Sequence, residues 1–319
     1  MSVSTPKVVL EHVQVIDGTG AAPNQHLYRG RKDCHIRRCG FRSQRRDFDQ
    51  YRADSYHTRL VQLAALERGV AWLAQHGTSN EPLVRYRDIA RKLEPFLDDH
   101  WDPARAFLHS QLAIVATDGF TAKKTDLDSE VIVAVMDGDR RTREHSVVDD
   151  RVQGTVAVLE DLFRMTYPIN RRNDVGLGYG RYAGDVYYGG NPWYFVTAYY
   201  ASFYYRLAAR LQQGADLPVT KLNLAFLRSC MASGTLPELH VGTTLVQGSP
   251  LHKAAIEAFT KKADGVMRRL RLHTPADGQL YEQFDKRSGK PASSRGIGWS
   301  HSAFLNAVFE REALTGRGT

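Results

Sequence analysis

The sequence predicts an all-α protein built from about eight helices. Apolar residues recur at helical spacing through most of the chain after residue 55, whereas few stretches alternate between apolar and polar residues as half-buried strands do. One segment, Trp193–Leu211, is apolar nearly all round, and a helix without a polar face is expected to lie among other helices. The 319 residues are enough for one large domain or two ordinary ones with a substantial core.

Between residues 56 and 136 the sequence contains two clear helical patterns and one ambiguous segment. The first helix runs from Tyr56 to a closing Gly77, and the second continues as far as Trp101. In Ser129–Met136 the apolar run is compatible both with a helix and with a buried strand. The sequence therefore predicts at least two helices before residue 140.

Five further helical patterns follow in the second half of the chain. They cover Val152–Tyr167, Trp193–Leu211, Leu222–Cys230, Leu251–Leu272 and His301–Leu314. The segment Tyr281–Arg295 is polar without helical periodicity, and we predict that it forms an irregular loop. Trp72, His109 and Cys230 lie on apolar helical patterns, so we expect them in the core.

Residues 1–52 differ in character from the rest of the chain. Much of the formal net charge of +8 comes from the Arg and Lys residues between Arg29 and Arg52. Such a block could bind nucleic acid or an anionic surface. A block of like charge with little periodicity is more often a solvated, flexible tail, so no nucleic-acid partner is expected.

The composition argues against a metal site and a membrane-spanning segment. Cys34, His35 and Cys39 lack a fourth zinc ligand at usable spacing, and three cysteines do not make a disulfide framework. No run approaches the roughly 18 apolar residues of a membrane-spanning helix. The first residues lack the pattern of a signal peptide, and taken literally this is typical of an intracellular chain. We therefore expect neither a metal nor a membrane, and we assign no compartment.

The segment Gly180–Trp193 has the composition of a binding site. Its glycines and its Asn-Pro pair indicate a turn with unusual backbone angles. The guanidinium of Arg181 can present parallel donors to neighbouring hydroxyls while Asp185 holds it in place. Tyr187 and Trp193 offer flat apolar faces that suit a sugar ring. The alternative interpretation is a surface turn with a solvated ion pair and aromatic side chains that belong to the core.

This segment resembles the Gly-Arg-Tyr-x-x-Asp-x-Tyr-x-Gly-x-Asn-Pro-Trp motif of the glucoamylases, glycoside hydrolase family 15. About a hundred residues later, Leu280–Lys286, Ser293–Arg295 and Gly298–Ser300 resemble that family's closing Ser-Glu-Gln-Phe-Asp and Leu-Thr-Trp-Ser segments. The resemblance covers the chain from about Ser55 to Arg311. The earlier helix pairs of the family have no counterpart.

The resemblance implies an incomplete (α/α)6 barrel, or toroid, over residues 53–319. Residues 1–52 would then be an irregular basic extension, disordered or foreign to the fold, and the segment 129–136 would be a helix. Family members are often secreted, so the absence of a signal-peptide pattern does not decide the compartment. The oligomeric state stays open.

The resemblance also implies roles for particular residues. Arg181 and Trp193 match residues that contact glucosyl units, and Glu282 matches the general base. Asp185, Tyr187, Asn191, Gln283 and Trp299 stand at motif positions and complete the expected substrate-binding set. No cofactor is implied, and the expected partner is an α-glucan or a maltooligosaccharide.

The general acid is the weak element of the resemblance. The family carries it in a Leu-Trp-Glu-Glu motif, and counting back without gaps places Phe48, Asp49 and Gln50 at the Trp-Glu-Glu positions. Asp49 is shorter than Glu by one methylene, which pulls the carboxyl group away from the proton-transfer position. The acid is therefore either missing or replaced by Asp49. A truncated or misread gene product, whose true upstream region encodes the motif, would also explain the abrupt basic segment.

Two functional hypotheses follow. The first is a glycoside hydrolase that releases glucose, with inversion, from the non-reducing ends of α-1,4-glucans such as starch. The alternative is a catalytically impaired, glucan-binding remnant of a glucoamylase. Both require that Arg181, Trp193 and Glu282 lie close together, which coordinates can test.

Overall fold

The structure is a computed structural model that describes residues 53–77, 80–113, 127–172, 174–231, 234 and 239–316. Residues 1–52, with Asp49 and the candidate zinc ligands Cys34, His35 and Cys39, lie outside this range. The described helices are α1 (Tyr56–His76), α2 (Asn80–Leu93), α3 (Pro95–Asp98), α4 (Glu130–Gly138), α5 (Asp150–Thr166), α6 (Tyr194–Gln212), α7 (Leu224–Cys230), α8 (Pro250–His273) and α9 (Gly298–Thr315).

The described strands are short and form four separate antiparallel pairs. They are β1 (Ala53–Ser55) with β4 (Gln111–Ala113), β2 (Trp101–Asp102) with β3 (Phe107–Leu108), β5 (Leu217–Pro218) with β6 (Thr244–Leu245), and β7 (Tyr281–Phe284) with β8 (Pro291–Arg295). Within the described ranges no sheet exceeds two strands. The predicted all-α class is therefore confirmed.

The ends of several helices follow from their capping residues. Ser55 precedes α1, and its hydroxyl accepts a hydrogen bond from the Thr58 amide at 3.3 Å. Asp149 precedes α5 and accepts from the Arg151 amide at 2.8 Å. The ambiguous segment after Ser129 is a helix, α4, as the resemblance implied. The predicted helices at 56–77, 152–167 and 193–211 are confirmed to within two residues.

The predicted second helix does not continue unbroken to Trp101. Helix α2 ends at Leu93, the short α3 begins at Pro95, and Trp101 belongs to strand β2. Proline has no amide hydrogen, so Pro95 cannot donate to the Arg91 carbonyl and the ladder of helical hydrogen bonds is interrupted there. Glu94 itself keeps helical backbone angles. The apolar periodicity continues across this break, which is why the pattern alone suggested one helix.

The predicted irregular loop at 281–295 is wrong, because this segment forms the hairpin β7–β8. Tyr281 pairs with Arg295, Gln283 pairs with Ala292, and a register shift lies between the two pairs. Gln283 and Phe284 form consecutive pairs after this bulge and point to opposite faces of the strand. The Asn191 side chain bonds Gln283 and the Tyr194 ring contacts Phe284. Both faces are therefore covered, Glu282 is buried as well, and the strand shows no alternation of exposed polar and buried apolar residues. The period-two signal of a half-buried strand is therefore absent from the sequence.

Helix α6 lies at the centre of the core. It packs most extensively against α8 and α9, and it also contacts α4. Tyr200, Phe203, Tyr204 and Tyr205 are fully buried, as the apolar pattern predicts. The core prediction for Trp72 is wrong, because its side chain is 59% exposed on α1. His109 and Cys230 are half-buried.

Aromatic stacking and one arginine join α6 to its neighbours. The Phe226 ring of α7 is parallel to that of Tyr204 at 5.8 Å and stacks on Phe259 of α8 at the same distance. Arg206 donates to the Met136 carbonyl of α4 at 2.7 Å and pairs with Glu310 of α9. None of the described helices combines the length and the apolarity needed to cross a membrane.

A second buried cluster beneath the start of α1 contains two neutral histidines. His100 accepts from Arg59 and donates to the His109 carbonyl, while His145 bonds the Tyr56 hydroxyl at 3.0 Å. Burial is the main cause that lowers the pKa of His100 to about 3 and that of His145 to about 4. Both side chains are thus held in the uncharged form.

These histidines predict a loss of stability in mild acid. In the unfolded chain His100 and His145 take up a proton near pH 6.5, whereas in the folded chain they do so only near pH 3 to 4. Stability contributed by the neutral side chains is therefore present above about pH 6.5 and is lost as the pH falls towards 4. Between pH 6.5 and 4.5 we expect each histidine to lower the free energy of unfolding, measured with urea, by about 2 kcal/mol. The variant His100→Gln should show a smaller loss, and His76→Gln, at an exposed position, should match the wild type. Equal losses in all three proteins would contradict the assignment.

Candidate functional site

The predicted pair of Arg181 and Asp185 is present and has bidentate geometry. Arg181 Nε donates to Asp185 Oδ2 at 2.8 Å, and Nη2 donates to Oδ1 at 2.7 Å. The Tyr187 amide also donates to Asp185 Oδ1, at 3.0 Å. The Asp185 side chain is 2% exposed, whereas that of Arg181 is 32% exposed. Partial burial works to lower the pKa of Arg181, but the bonds to Asp185 outweigh it and raise that pKa.

Aromatic rings surround the guanidinium of Arg181. Its Cζ lies 4.8 Å from the ring centre of Trp193, 5.3 Å from that of Tyr187 and 5.2 Å from that of Tyr182. Tyr187 stacks on Trp193 with 5.6 Å between ring centres. The loop thus joins a fixed cation to a platform of two stacked rings.

The loop between Asp185 and Trp193 depends on backbone angles that favour glycine. Gly190 has a φ of 62°, and a side chain there would place its Cβ 1.8 Å from the Asp185 carbonyl oxygen. The preceding Tyr188 also has a positive φ, of 47°. The chain can therefore fold back over Asp185 only with a glycine at position 190.

The hairpin strand β7 holds the end of this loop. Trp193 forms an antiparallel bridge with Gln283, and the Phe284 amide donates to the Pro192 carbonyl at 3.1 Å. The side-chain nitrogen Nδ2 of Asn191 donates to Gln283 Oε1 at 3.2 Å and to the Tyr188 carbonyl at 2.8 Å. Asn191 and Gln283 are both buried, so in this structure their amides connect the loop to the hairpin.

Glu282 lies in the same corner of the molecule. Its side chain is 3% exposed, and its Oε2 accepts a short hydrogen bond from the Ser293 hydroxyl on β8. The Tyr187 phenol lies beside both groups. Desolvation, followed by the Glu282 carboxylate, raises the pKa of that phenol. Tyr187 therefore connects the Trp193 platform to the carboxylate.

A cavity of about 360 Å³ opens beside Arg181 and Trp193. It is lined by Arg181, Trp193, Phe195, Tyr199, Trp299, Ser302 and Ala303. The Trp299 side chain is 52% exposed and contacts Phe195, with 5.9 Å between ring centres. Glu282 is not among the described residues that line this cavity.

The structure brings together every predicted site residue that it describes. Arg181, Asp185, Tyr187 and Trp193 form one cluster, Asn191, Gln283 and Glu282 support or border it, and Trp299 lines the cavity. Asp49 lies outside the described residues. Within the described ranges, no group of His, Cys, Asp and Glu side chains is arranged to hold a metal ion.

The sequence analysis missed several contributors to the site, among them Tyr182 beside the Arg181 guanidinium and Ala303 in the cavity lining. Phe195 and Tyr199 lie one turn apart on α6, following Trp193, and Ser302 lies one turn after Trp299 on α9. Helical spacing from a predicted site residue could have found them. Ser293 could not have been found as a partner of Glu282 while the segment was interpreted as an irregular loop.

The comparison with known families identifies the class of the chain. Residues 49–309 match the family model described as "Glycosyl hydrolases family 15". The chain therefore belongs to glycoside hydrolase family 15, and the resemblance noted in the sequence is confirmed. The match includes the Arg181 loop, the hairpin and all but the end of α9.

The relatives within this family are glucoamylases. The glucoamylase of Blastobotrys adeninivorans is 28% identical over 270 residues, covering 81% of this chain and 42% of the relative. The glucoamylase of Neurospora crassa is 38% identical over 135 residues, covering 42% of this chain and 21% of that protein. The chain thus spans less than half the length of these two proteins.

Solved structures agree with this assignment. The family 15 glucoamylase from Hypocrea jecorina matches with a TM-score of 0.70 and 27% identity, over 84% of this chain and 43% of that one. The Saccharomycopsis fibuligera glucoamylase matches with a TM-score of 0.74, covering 85% of this chain and 58% of that one. At 21% identity, the second match shows the fold alone. The predicted partial (α/α)6 fold is confirmed.

Two glycines in the site loop provide a matched test of its geometry. Gly184 and Gly190 both have positive φ, but a Cβ at 184 would meet nothing within 4 Å, whereas one at 190 would collide with the Asp185 carbonyl. We expect Gly184→Ala to cost about 1 kcal/mol in urea unfolding, from backbone strain alone. Gly190→Ala should cost about 3 kcal/mol, because the loop must also move. Equal costs would show that the close approach does not exist.

Proposed function

We propose that the chain carries the glucan site of a glycoside hydrolase that releases glucose from the non-reducing ends of α-1,4-glucans. Family membership supports hydrolase chemistry, and the relatives named glucoamylase support an α-glucan as the substrate. The observation that carries the proposal is Tyr187, which stacks on Trp193 and also lies beside Glu282. Through this contact a surface suited to a sugar ring adjoins a carboxylate.

The arrangement around Arg181 is suited to hydroxyl recognition. Asp185 orients the guanidinium through two hydrogen bonds, while the partial exposure of Arg181 leaves part of it accessible to a ligand. A sugar on Trp193 would present its hydroxyls towards this cation and its apolar face to the ring. We assign substrate binding to Arg181, Tyr187, Trp193 and Trp299, and positioning to Asp185, Asn191 and Gln283.

Glu282 is the proposed general base. Asp185 is bound by a cation, whereas the neutral hydroxyl of Ser293 holds Glu282, and within the described residues no Lys or Arg pairs with Glu282. A carboxylate without a cationic partner presents its full negative charge to a water molecule that it would deprotonate. In an inverting mechanism that water occupies the space between the base and the acid, which are roughly 6.5–9.5 Å apart.

The proton donor decides between the two functional hypotheses. If Asp49 acts as the acid, the site hydrolyses glucans slowly, because the shorter side chain misplaces the proton. If no acid is present, the chain binds glucans without cleaving them. The proposal is therefore a glucan-binding site with slow hydrolysis, and the binding-only remnant is the alternative.

Ligand binding tests the sugar site independently of catalysis. Titration calorimetry with maltotriose should show at least tenfold weaker binding to Arg181→Ala, because charge-assisted hydrogen bonds contribute about 1.5–3 kcal/mol. Arg172→Ala is the matched control, since Arg172 forms the same kind of pair with Asp174 at the surface. Unchanged affinity in Arg181→Ala, or an equal loss in both variants, would contradict the assignment.

Hydrolysis tests the two carboxylates separately. We expect glucose release from maltotriose to be slow and to fall by a factor of about 10² to 10⁴ in Glu282→Gln. Asp49→Asn should lower the rate comparably if Asp49 is the acid, and Asp49→Glu should raise it. A rate unaffected by both Asp49 variants would favour the hypothesis of a missing acid. Activity that persists in Glu282→Gln would refute the role of Glu282.

A further inference from the structure

An amine and a thiol face each other between helices α7 and α8. Lys262 Nζ lies 3.5 Å from Cys230 Sγ and 3.2 Å from the hydroxyl oxygen of Ser229. The same nitrogen donates to Glu160 Oε2 of α5 at 2.7 Å. None of these residues belongs to the proposed glucan site, so the chemistry of this cluster is independent of glucan binding and hydrolysis.

The surroundings hold the amine in place next to the sulfur. The Glu160 side chain is buried and also accepts hydrogen bonds from Tyr179 at 2.7 Å and Tyr204 at 2.5 Å. The two phenols and the Lys262 amine together fix the position of the Glu160 carboxylate, and this carboxylate in turn holds the Lys262 nitrogen. Cys230 is half-buried at the last residue of α7, and the reaction requires a small oxidant to reach its sulfur at this helix end.

We propose that oxidation joins Cys230 and Lys262 through a sulfur–nitrogen bond. In the first step a hydroperoxide oxidises the thiol to a sulfenic acid. The O–O bond breaks, sulfur loses two electrons, and with hydrogen peroxide the other product is water. In the second step the amine nitrogen attacks sulfur, the S–O bond breaks, and the hydroxyl group leaves with a proton from nitrogen as water.

Proton transfer and proximity make the second step feasible. The ammonium must lose one proton before it attacks. Burial works to raise the pKa of Glu160, but Lys262 and the phenol donors outweigh it and lower that pKa, so the proton is taken up by hydroxide from solvent while Glu160 keeps the nitrogen in place. No further oxidant is needed, and the linked product contains two hydrogen atoms fewer than the starting pair. A nitrogen held next to the sulfenic acid has the high effective concentration of an intramolecular reactant.

The charges of the cluster set the pH at which the reaction proceeds. Burial raises the pKa of the Cys230 thiol, although Lys262 opposes the rise, and the neighbouring negative groups raise the pKa of Lys262 against the effect of burial. Thiolate and free amine are the reactive forms. The cross-link should therefore form slowly at neutral pH and faster as the pH rises towards 9.

The test uses the full-length chain with Cys34→Ser and Cys39→Ser, so that Cys230 is the one thiol. After treatment with hydrogen peroxide at pH 7 and pH 9, peptide mapping should show the Cys230 and Lys262 peptides joined. Their mass should be two hydrogen atoms below the sum, trypsin should no longer cleave after Lys262, and dithiothreitol should reverse the link. A joined peptide that retains an oxygen atom, or Cys230 found unchanged or as a sulfinic acid, would overturn the proposal.

Two lysine variants make the result specific. Lys262→Arg keeps a cation beside Glu160 but replaces the amine with a weakly nucleophilic guanidinium. In that variant the sulfenic acid should accumulate and be trapped by dimedone, without any joined peptide. Lys261→Arg, at the neighbouring exposed position, should form the link as the parent protein does. A link that persists in Lys262→Arg would refute the assignment of the nitrogen.

Discussion

The antiparallel contact between Trp193 and strand β7 is the constraint on which the candidate site depends. Asn191 and Gln283, which are 92 residues apart in sequence, share a buried hydrogen bond beside this contact. The bond fixes the end of the Arg181 loop against the strand that carries Glu282. Buried amides must find partners, so the loop and the hairpin can be desolvated only together. The ring platform and the carboxylate therefore form one unit.

Within this unit two buried carboxylates have different environments. Asp185 accepts two hydrogen bonds from a guanidinium and one from a backbone amide, which stabilises its charge and makes it a structural anchor. Glu282 accepts from a serine hydroxyl and lies beside a phenol. The fold thus separates a carboxylate that orients another side chain from one whose charge is not neutralised by a cation.

Local patterns identified much of the fold and of the site. Helices α1 and α5 follow from apolar periodicity and capping residues, and α6 follows from its long apolar sequence. The Arg181–Asp185 pair follows from a four-residue spacing inside a glycine-rich loop. Other features were hidden by long-range effects. Strand β7 is covered on both faces, which removes the alternation by which half-buried strands are recognised, so the hairpin and the contact of Ser293 with Glu282 were not predicted.

The sequence by itself determined the helical class, the family resemblance and the residue types of the site, because these depend on short-range spacing and on side-chain chemistry. Only the tertiary structure decided that Asn191 and Gln283 join two distant segments, that Tyr187 stands between Trp193 and Glu282, and that Trp72 faces solvent. Burial and contact between residues far apart in the chain depend on how the helices pack, and packing is not encoded in the periodicity of any one segment.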